Sequence, residues 1–287
     1  MPPSLVASTD GVQVAVHDLG GPDAATAPTL LLCHANGFNA RAWTPLVTHL
    51  VDRFRCFAVD LRGHGEAVTP PDLSFEWAGF GDDVQAVLAS SALPAGAVVH
   101  GVGHSLGGAA LVMAAAAAPS QFRSLWLYEP IVHPPGALEV PDGLTENPMA
   151  AAASRRRPDF DSVDAAVANY AAKPPLSTLD PAALRAYVEG GFAPRPDGSI
   201  TLRCRPEWEA AIFRMGVQHR AWDDVPQVTV PTAVVVGAEQ QFGPSAFAPG
   251  VADRLPLGYL LRHPELGHFG PLEDPAGMAA EIVRWVE

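Results

Sequence analysis

The apolar positions of this chain fall into two alternating rhythms. Thr29–Cys33 and Cys56–Val59 are unbroken apolar runs, too short for helices, and runs of this kind predict strands covered on both faces. Ser4–Val16 alternates about the turn Asp10-Gly11 and predicts an antiparallel hairpin. Trp43, Leu46, Val47 and Leu50 share one helical face, so the spacing predicts a helix over Arg41–Val51. A second helix is expected over Phe75–Leu88, a strand at Ala97–Val99, an alanine-rich helix ending before Pro119, and a strand at Phe122–Tyr128. Strands alternating with helices imply an α/β fold, with a mostly parallel sheet flanked by helices.

The rhythm breaks after Glu129. Residues 131–218 are rich in proline, contain no clear buried strand, and offer helices at Val163–Ala172 and Pro181–Glu189. Eight arginines and the single Lys173 fall in this stretch, half of the 18 basic residues. The α/β rhythm resumes at Thr232–Val236, with a strand at Tyr259–Leu261 and a last helix over Ala276–Val286. The expected organisation is a core of residues 1–130 and 219–287, with a helical cap of residues 131–218 inserted between its two parts.

A length of 287 residues, 48% of them hydrophobic, is enough for a sizeable core. A net charge of −13 argues against a nucleic-acid partner, since phosphate binding needs a basic surface. The N-terminal residues have neither a basic region nor a long apolar run, and the run Ala109–Ala118 is too short to span a bilayer. Neither a signal peptide nor a membrane span is therefore expected. Cys33, Cys56 and Cys204 are odd in number and far apart, so they read as free buried thiols of a cytoplasmic protein. No metal-ligand cluster, phosphate loop or dinucleotide fingerprint is visible, and no cofactor is expected.

The strongest chemical signal is Gly103-His104-Ser105-Leu106-Gly107, a G-x-S-x-G stretch between a predicted strand and a predicted helix. A serine hydroxyl becomes a useful nucleophile when a tight turn presents it to a base, and flanking glycines make room for that turn. The following helix points its N-terminal N–H groups toward a developing oxyanion. The base is expected to be His268, in the loop after the last predicted strand. His34, His64, His100 and His104 are rivals by residue type, but they precede or adjoin the serine and have structural explanations.

Four stretches together resemble the α/β-hydrolase superfamily: His34-Ala35-Asn36-Gly37, Asp60-Leu61-Arg62-Gly63-His64-Gly65, the serine turn, and Gly267-His268-Phe269. The resemblance covers nearly the whole chain. It implies the α/β-hydrolase fold and a Ser–His enzyme whose groups follow the chain order Ser, acid, His. Where many members carry an aspartate, this chain reads Gly237-Ala238-Glu239-Gln240, and an amide at Gln240 cannot stabilise an imidazolium. A branch that includes haloalkane dehalogenases instead places a glutamate at the end of the sixth strand, where this chain has Glu129. The resemblance therefore favours Glu129 as the acid, with Glu239 as the alternative. It also implies that the N–H groups of Asn36 and Leu106 form the oxyanion hole. Dehalogenases and epoxide hydrolases of this fold attack with an aspartate, so Ser105 disfavours both reactions.

Phe38, Trp43 and His104 are candidates to line the substrate pocket. Arg155 and Arg156 suit a carboxylate or phosphate of the substrate, although a run of arginines also fits a solvated helix face. Asp60, Arg62 and His64 read as braces of the loop they occupy. The combined expectation is a hydrolase of a small carboxylic ester working through an acyl-enzyme, with the acyl compound and water as its partners. Thioester, lactone or C–C bond hydrolysis and cofactor-free perhydrolysis share the same triad. A receptor that binds a small molecule without turnover is the reading from another class.

Overall fold

The structure is a computed structural model that describes residues 2–23, 26–137, 146–216, 219–240 and 243–287. β1 (Ser4–Ala7) and β2 (Gln13–Gly20) form the expected hairpin, with Ser4 opposite Val16. β3 (Thr29–Cys33) leads through a loop to a single 3₁₀ turn and the short α1 (Thr44–Val47). The helix expected over Arg41–Val51 is thus broken into pieces. Pro45 has no N–H to donate and restarts the helix at its own first turn. β4 (Arg55–Asp60), α2 (Ala78–Leu88), β5 (Val99–His104), α3 (Leu106–Ala117) and β6 (Phe122–Tyr128) follow.

Between β6 and the next core strand lie α4 (Pro148–Ala153), β7 (Asp159–Phe160), α5 (Val163–Ala171), α6 (Pro181–Gly191), β8 (Phe192–Pro194), β9 (Ile200–Leu202), α7 (Pro206–Met215) and α8 (Ala221–Asp224). β7, β9 and β8 make a small antiparallel sheet in a region where the sequence suggested helices alone. Strands of two or three residues are too short to show a period of two. Their apolar members Phe160, Phe192, Ile200 and Leu202 are nevertheless buried. The core then closes with β10 (Thr232–Val236), α9 (Pro244–Arg254), β11 (Gly258–Arg262), α10 (Gly270–Glu273) and α11 (Pro275–Val286).

Among the described residues, the main sheet has eight strands in the order β1-β2-β4-β3-β5-β6-β10-β11. Pairing is antiparallel at β1–β2 and β2–β4 and parallel from β4 onward. The strand order reverses direction beside β3, so the crevice at the carboxyl ends of β3 and β5 is where such sheets bind ligands. Every residue of β3 and β10 is buried, as continuous apolar runs require when helices cover both faces. One apolar core holds α2, α3 and the inner face of α9 against the sheet, and a second holds α1 and α11 against the opposite face. Among the described residues, no helix is long and apolar enough to cross a membrane, and the three cysteines are free and buried.

Candidate active site

The serine turn is built by close approach of backbones. β5 runs on to His104, beyond the expected Ala97–Val99, because Gly101 and Gly103 belong to the strand itself. A Cβ on Gly103 would lie 2.7 Å from the Cα of Gly108, and one on Gly107 would lie 2.2 Å from the Cys33 carbonyl oxygen. Glycine at both positions therefore lets α3 start directly over the ends of β5 and β3. Ser105 is left in the left-handed region at φ 55°, immediately before the first residue of α3. Its N–H donates to the Tyr128 carbonyl at 3.0 Å, and its carbonyl accepts from Ile131 N–H at 3.1 Å. These bonds fix a conformation that costs a non-glycine residue energy when isolated.

Glu129 follows β6 at φ 42°, another strained position at a strand end. Its N–H donates to the Val235 carbonyl at 2.8 Å, and its Oε1 accepts from Gly237 N–H at 3.0 Å. Its Oε2 lies 2.6 Å from His268 Nδ1. A proton on Nδ1 satisfies this contact and leaves Nε2 of His268 as the basic nitrogen. Glu239, one residue before the position where an acid is common, is exposed, and its neighbour Gln240 takes its N–H to Ser245 Oγ at 3.0 Å. Among the described residues, the carboxylate at the His268 ring is that of Glu129.

The loop that carries His268 is held at three points. Tyr128 Oη donates to the Gly267 carbonyl at 2.7 Å, and Glu273 accepts from Gly267 N–H at 2.7 Å. The third point is His104, whose Nε2 donates to the His268 carbonyl at 2.8 Å. His104 was a candidate for the pocket wall, but it is buried against Phe38, Tyr128 and Phe269, and its polar nitrogen is used on the backbone of the base. Burial, aided by the neighbouring His268, holds its pKa well below the ordinary histidine value, so it is neutral. No local pattern signals this contact, because it depends on how two distant turns meet.

The loop after β3 carries Asn36, and α3 opens with Leu106, the two residues whose N–H groups are expected at an oxyanion hole. The first N–H groups of a helix have no acceptor within it. His34 donates Nδ1–H to the Ala35 carbonyl at 2.8 Å and accepts from Leu61 N–H at 3.2 Å. His64 donates Nδ1–H to the Arg62 carbonyl at 2.9 Å, which leaves its Nε2 to accept from Gly37 N–H at 3.0 Å. Burial pushes the His64 pKa down to about 3, consistent with the neutral form this bond needs. Asp60 accepts from Ala40 N–H at 2.7 Å and Glu66 N–H at 2.8 Å and faces His17 Nε2 at 2.7 Å. Arg62 is fully buried and paired with the equally buried Asp83. Asp60, Arg62 and His64 are thus each committed to partners within the fold.

The remaining candidates are dispersed. Phe38 packs between Tyr187 and Phe269. Trp43 is only 2% exposed and packs in the core on the α1 face, and it also lines a small cavity together with Phe38 and His104. Arg155 is exposed. Arg156 pairs with Glu209 and with the hydroxyls of Tyr170 and Tyr187, so its guanidinium is already partnered. Arg156 therefore presents no free cation to a substrate anion.

Residues 30–281 match the alpha/beta hydrolase family. The chain belongs to that family. The 2-(acetamidomethylene)succinate hydrolase of Mesorhizobium japonicum is 30% identical over 215 residues, covering 73% of this chain and 70% of that enzyme. A crystal structure of E-2-(acetamidomethylene)succinate hydrolase superposes with a TM-score of 0.76 at 24% identity, covering 99% of this chain and 98% of the other. The probable oxidoreductase EphD of Mycobacterium tuberculosis is 38% identical over 104 residues, but the match spans 36% of this chain and only 17% of that longer protein. The family assignment agrees with the resemblance carried by the four sequence stretches, and the alpha/beta hydrolase fold is the one observed.

Proposed function

We propose that this alpha/beta hydrolase is a serine hydrolase cleaving a small carboxylic ester through an acyl-enzyme. The contact that carries the reading is Glu129 Oε2 at 2.6 Å from His268 Nδ1, on a loop bonded to the residue beside Ser105. In this mechanism Ser105 Oγ attacks the ester carbonyl while Nε2 of His268 takes its proton. Glu129 keeps the proton of His268 on Nδ1 and stabilises the imidazolium that forms. The N–H groups of Asn36 and Leu106 receive the negative charge of the tetrahedral intermediate. His268 returns the proton to the departing alcohol, and the acyl group remains on Ser105. Water, deprotonated by His268, then attacks the acyl-enzyme and releases the acid.

The segment between β6 and β10 is assigned as the cap over this centre, and Phe38 as the residue of the β3 loop against which substrate is bounded. Hydrolysis of p-nitrophenyl esters from acetyl to dodecanoyl, by the wild type and by Ser105→Ala, tests the proposal. Turnover that disappears in the variant is the expected result. Equal turnover by the two proteins would refute the serine mechanism.

A further inference from the structure

The main-chain unit joining Asn36 to Gly37 is gripped from two sides. On the sheet side, His64 Nε2 accepts the Gly37 N–H at 3.0 Å. On the opposite side stands Glu209, at the start of α7 and only 6% exposed. Its main-chain carbonyl accepts from Asn36 Nδ2 at 3.1 Å. Its carboxylate lies on Gly37 itself, where an added Cβ would be 2.6 Å from Oε1. Gly37 has φ 77°, a backbone conformation that favours glycine.

Such a carboxylate creates an electrostatic problem. Negative charge develops on the substrate oxygen near Asn36 N–H, and a poorly hydrated carboxylate close by opposes it. Arg156 pairs with Glu209 Oε2 and is itself tied to the Tyr170 and Tyr187 hydroxyls. Burial works against its charge, but the hydroxyls of Tyr187 and Tyr170 and the Glu209 carboxylate outweigh it, and its pKa stands well above the ordinary arginine value.

We infer that Glu209 is a positioning residue for the oxyanion loop and that Arg156 neutralises it, so that the grip on Asn36-Gly37 does not oppose the oxyanion. The inference rests on the serine hydrolase reading for its catalytic part. Its loop-holding part stands on the contacts alone.

The test compares wild type, Arg156→Met, Glu209→Ala and the double variant Arg156→Met/Glu209→Gln. Arg156→Met leaves an unpaired carboxylate beside the oxyanion, and kcat on p-nitrophenyl acetate is expected to fall about 10- to 100-fold, with KM changed far less. The double variant removes that charge and is expected to regain most of kcat. Backbone hydrogen exchange of Gly37, measured on the intact protein, is expected to accelerate about 10-fold or more in Glu209→Ala, which removes the side chain seated on Gly37. A double variant as slow as Arg156→Met would overturn the neutralising role. Unchanged exchange at Gly37 in Glu209→Ala would overturn the loop-holding role. If wild type lacked serine-dependent turnover, the hydrolase reading and the neutralising role would fall together, while exchange would still decide the grip.

Discussion

Glu129 and His268 stand 139 positions apart in the chain, yet Oε2 of one and Nδ1 of the other approach to 2.6 Å. Each is held by its own set of backbone bonds, Glu129 through Val235 and Gly237 and His268 through His104. Their orientation therefore depends on β5, β6 and β10 lying side by side.

Glu129→Gln keeps the size of the side chain and removes its charge. Loss of imidazolium stabilisation and of the correct tautomer is expected to lower kcat by about 10³- to 10⁴-fold. Glu239→Gln is expected to leave kcat near wild type, because Glu239 is exposed. Steady-state kinetics on p-nitrophenyl acetate compares the two, and a larger loss in Glu239→Gln would reverse the assignment of the acid.

Gly107→Ala introduces a methyl group 2.2 Å from the Cys33 carbonyl oxygen. Both partners are backbone, so neither can rotate away, and α3 would have to lift from β3. A loss of about 3 kcal/mol is expected from overpacking at such a site. Urea denaturation monitored by tryptophan fluorescence measures it, and a midpoint equal to wild type would contradict the steric account.

Arg62→Met strands the Asp83 carboxylate, since both members of the pair are fully buried. Breaking a buried ion pair from one side costs about 3–5 kcal/mol. Arg62→Met/Asp83→Leu, which removes both charges, is expected to be more stable than the single variant. Thermal unfolding of the two proteins at one pH gives the order directly.

His263 faces Glu281 Oε2 at 2.6 Å and Glu265 Oε1 at 3.1 Å, and its N–H anchors the segment before His268 to the Val236 carbonyl. Partial burial disfavours its charge, but the hydrogen bonds to Glu281 and Glu265 outweigh that effect, and its pKa is raised. A raised folded pKa means that the charged form stabilises the fold. This stabilisation is complete below the unfolded value of about 6.5 and is lost as pH rises through the higher folded value. The Tm advantage of wild type over His263→Gln is therefore expected to shrink from pH 6 to pH 9. A gap that widened over that range would show the opposite sign of coupling.

The parts of this molecule that were legible in the sequence are those encoded by local pattern. Phe122–Tyr128 and Thr232–Val236 are strands at the expected residues because each is a short, mostly apolar stretch bounded by proline or glycine. Ser105 stood out through its glycines, and Glu129 through the resemblance to the branch that places a glutamate at the end of the sixth strand. The boundaries that shifted did so for identifiable reasons: Pro45 split a helix, and Gly101 and Gly103 disguised the second half of β5. Glu209 carried no sequence signal at all. Its role exists only because α7 arrives over Gly37, and a glutamate on an amphipathic helix ordinarily reads as a solvated position.

The bond of Asn36 to Glu209 has a companion in Asn39, whose Nδ2 donates to the Tyr187 carbonyl at 2.9 Å, and Ala35 and Phe38 share an apolar cluster with α6. The residues after β3 are therefore as much a part of the segment between β6 and β10 as of the sheet. A chimaera that transplanted residues 131–218 alone into another alpha/beta hydrolase would leave both asparagine contacts behind. Recombination in this fold would have to exchange two separate stretches of chain together to preserve the centre they enclose.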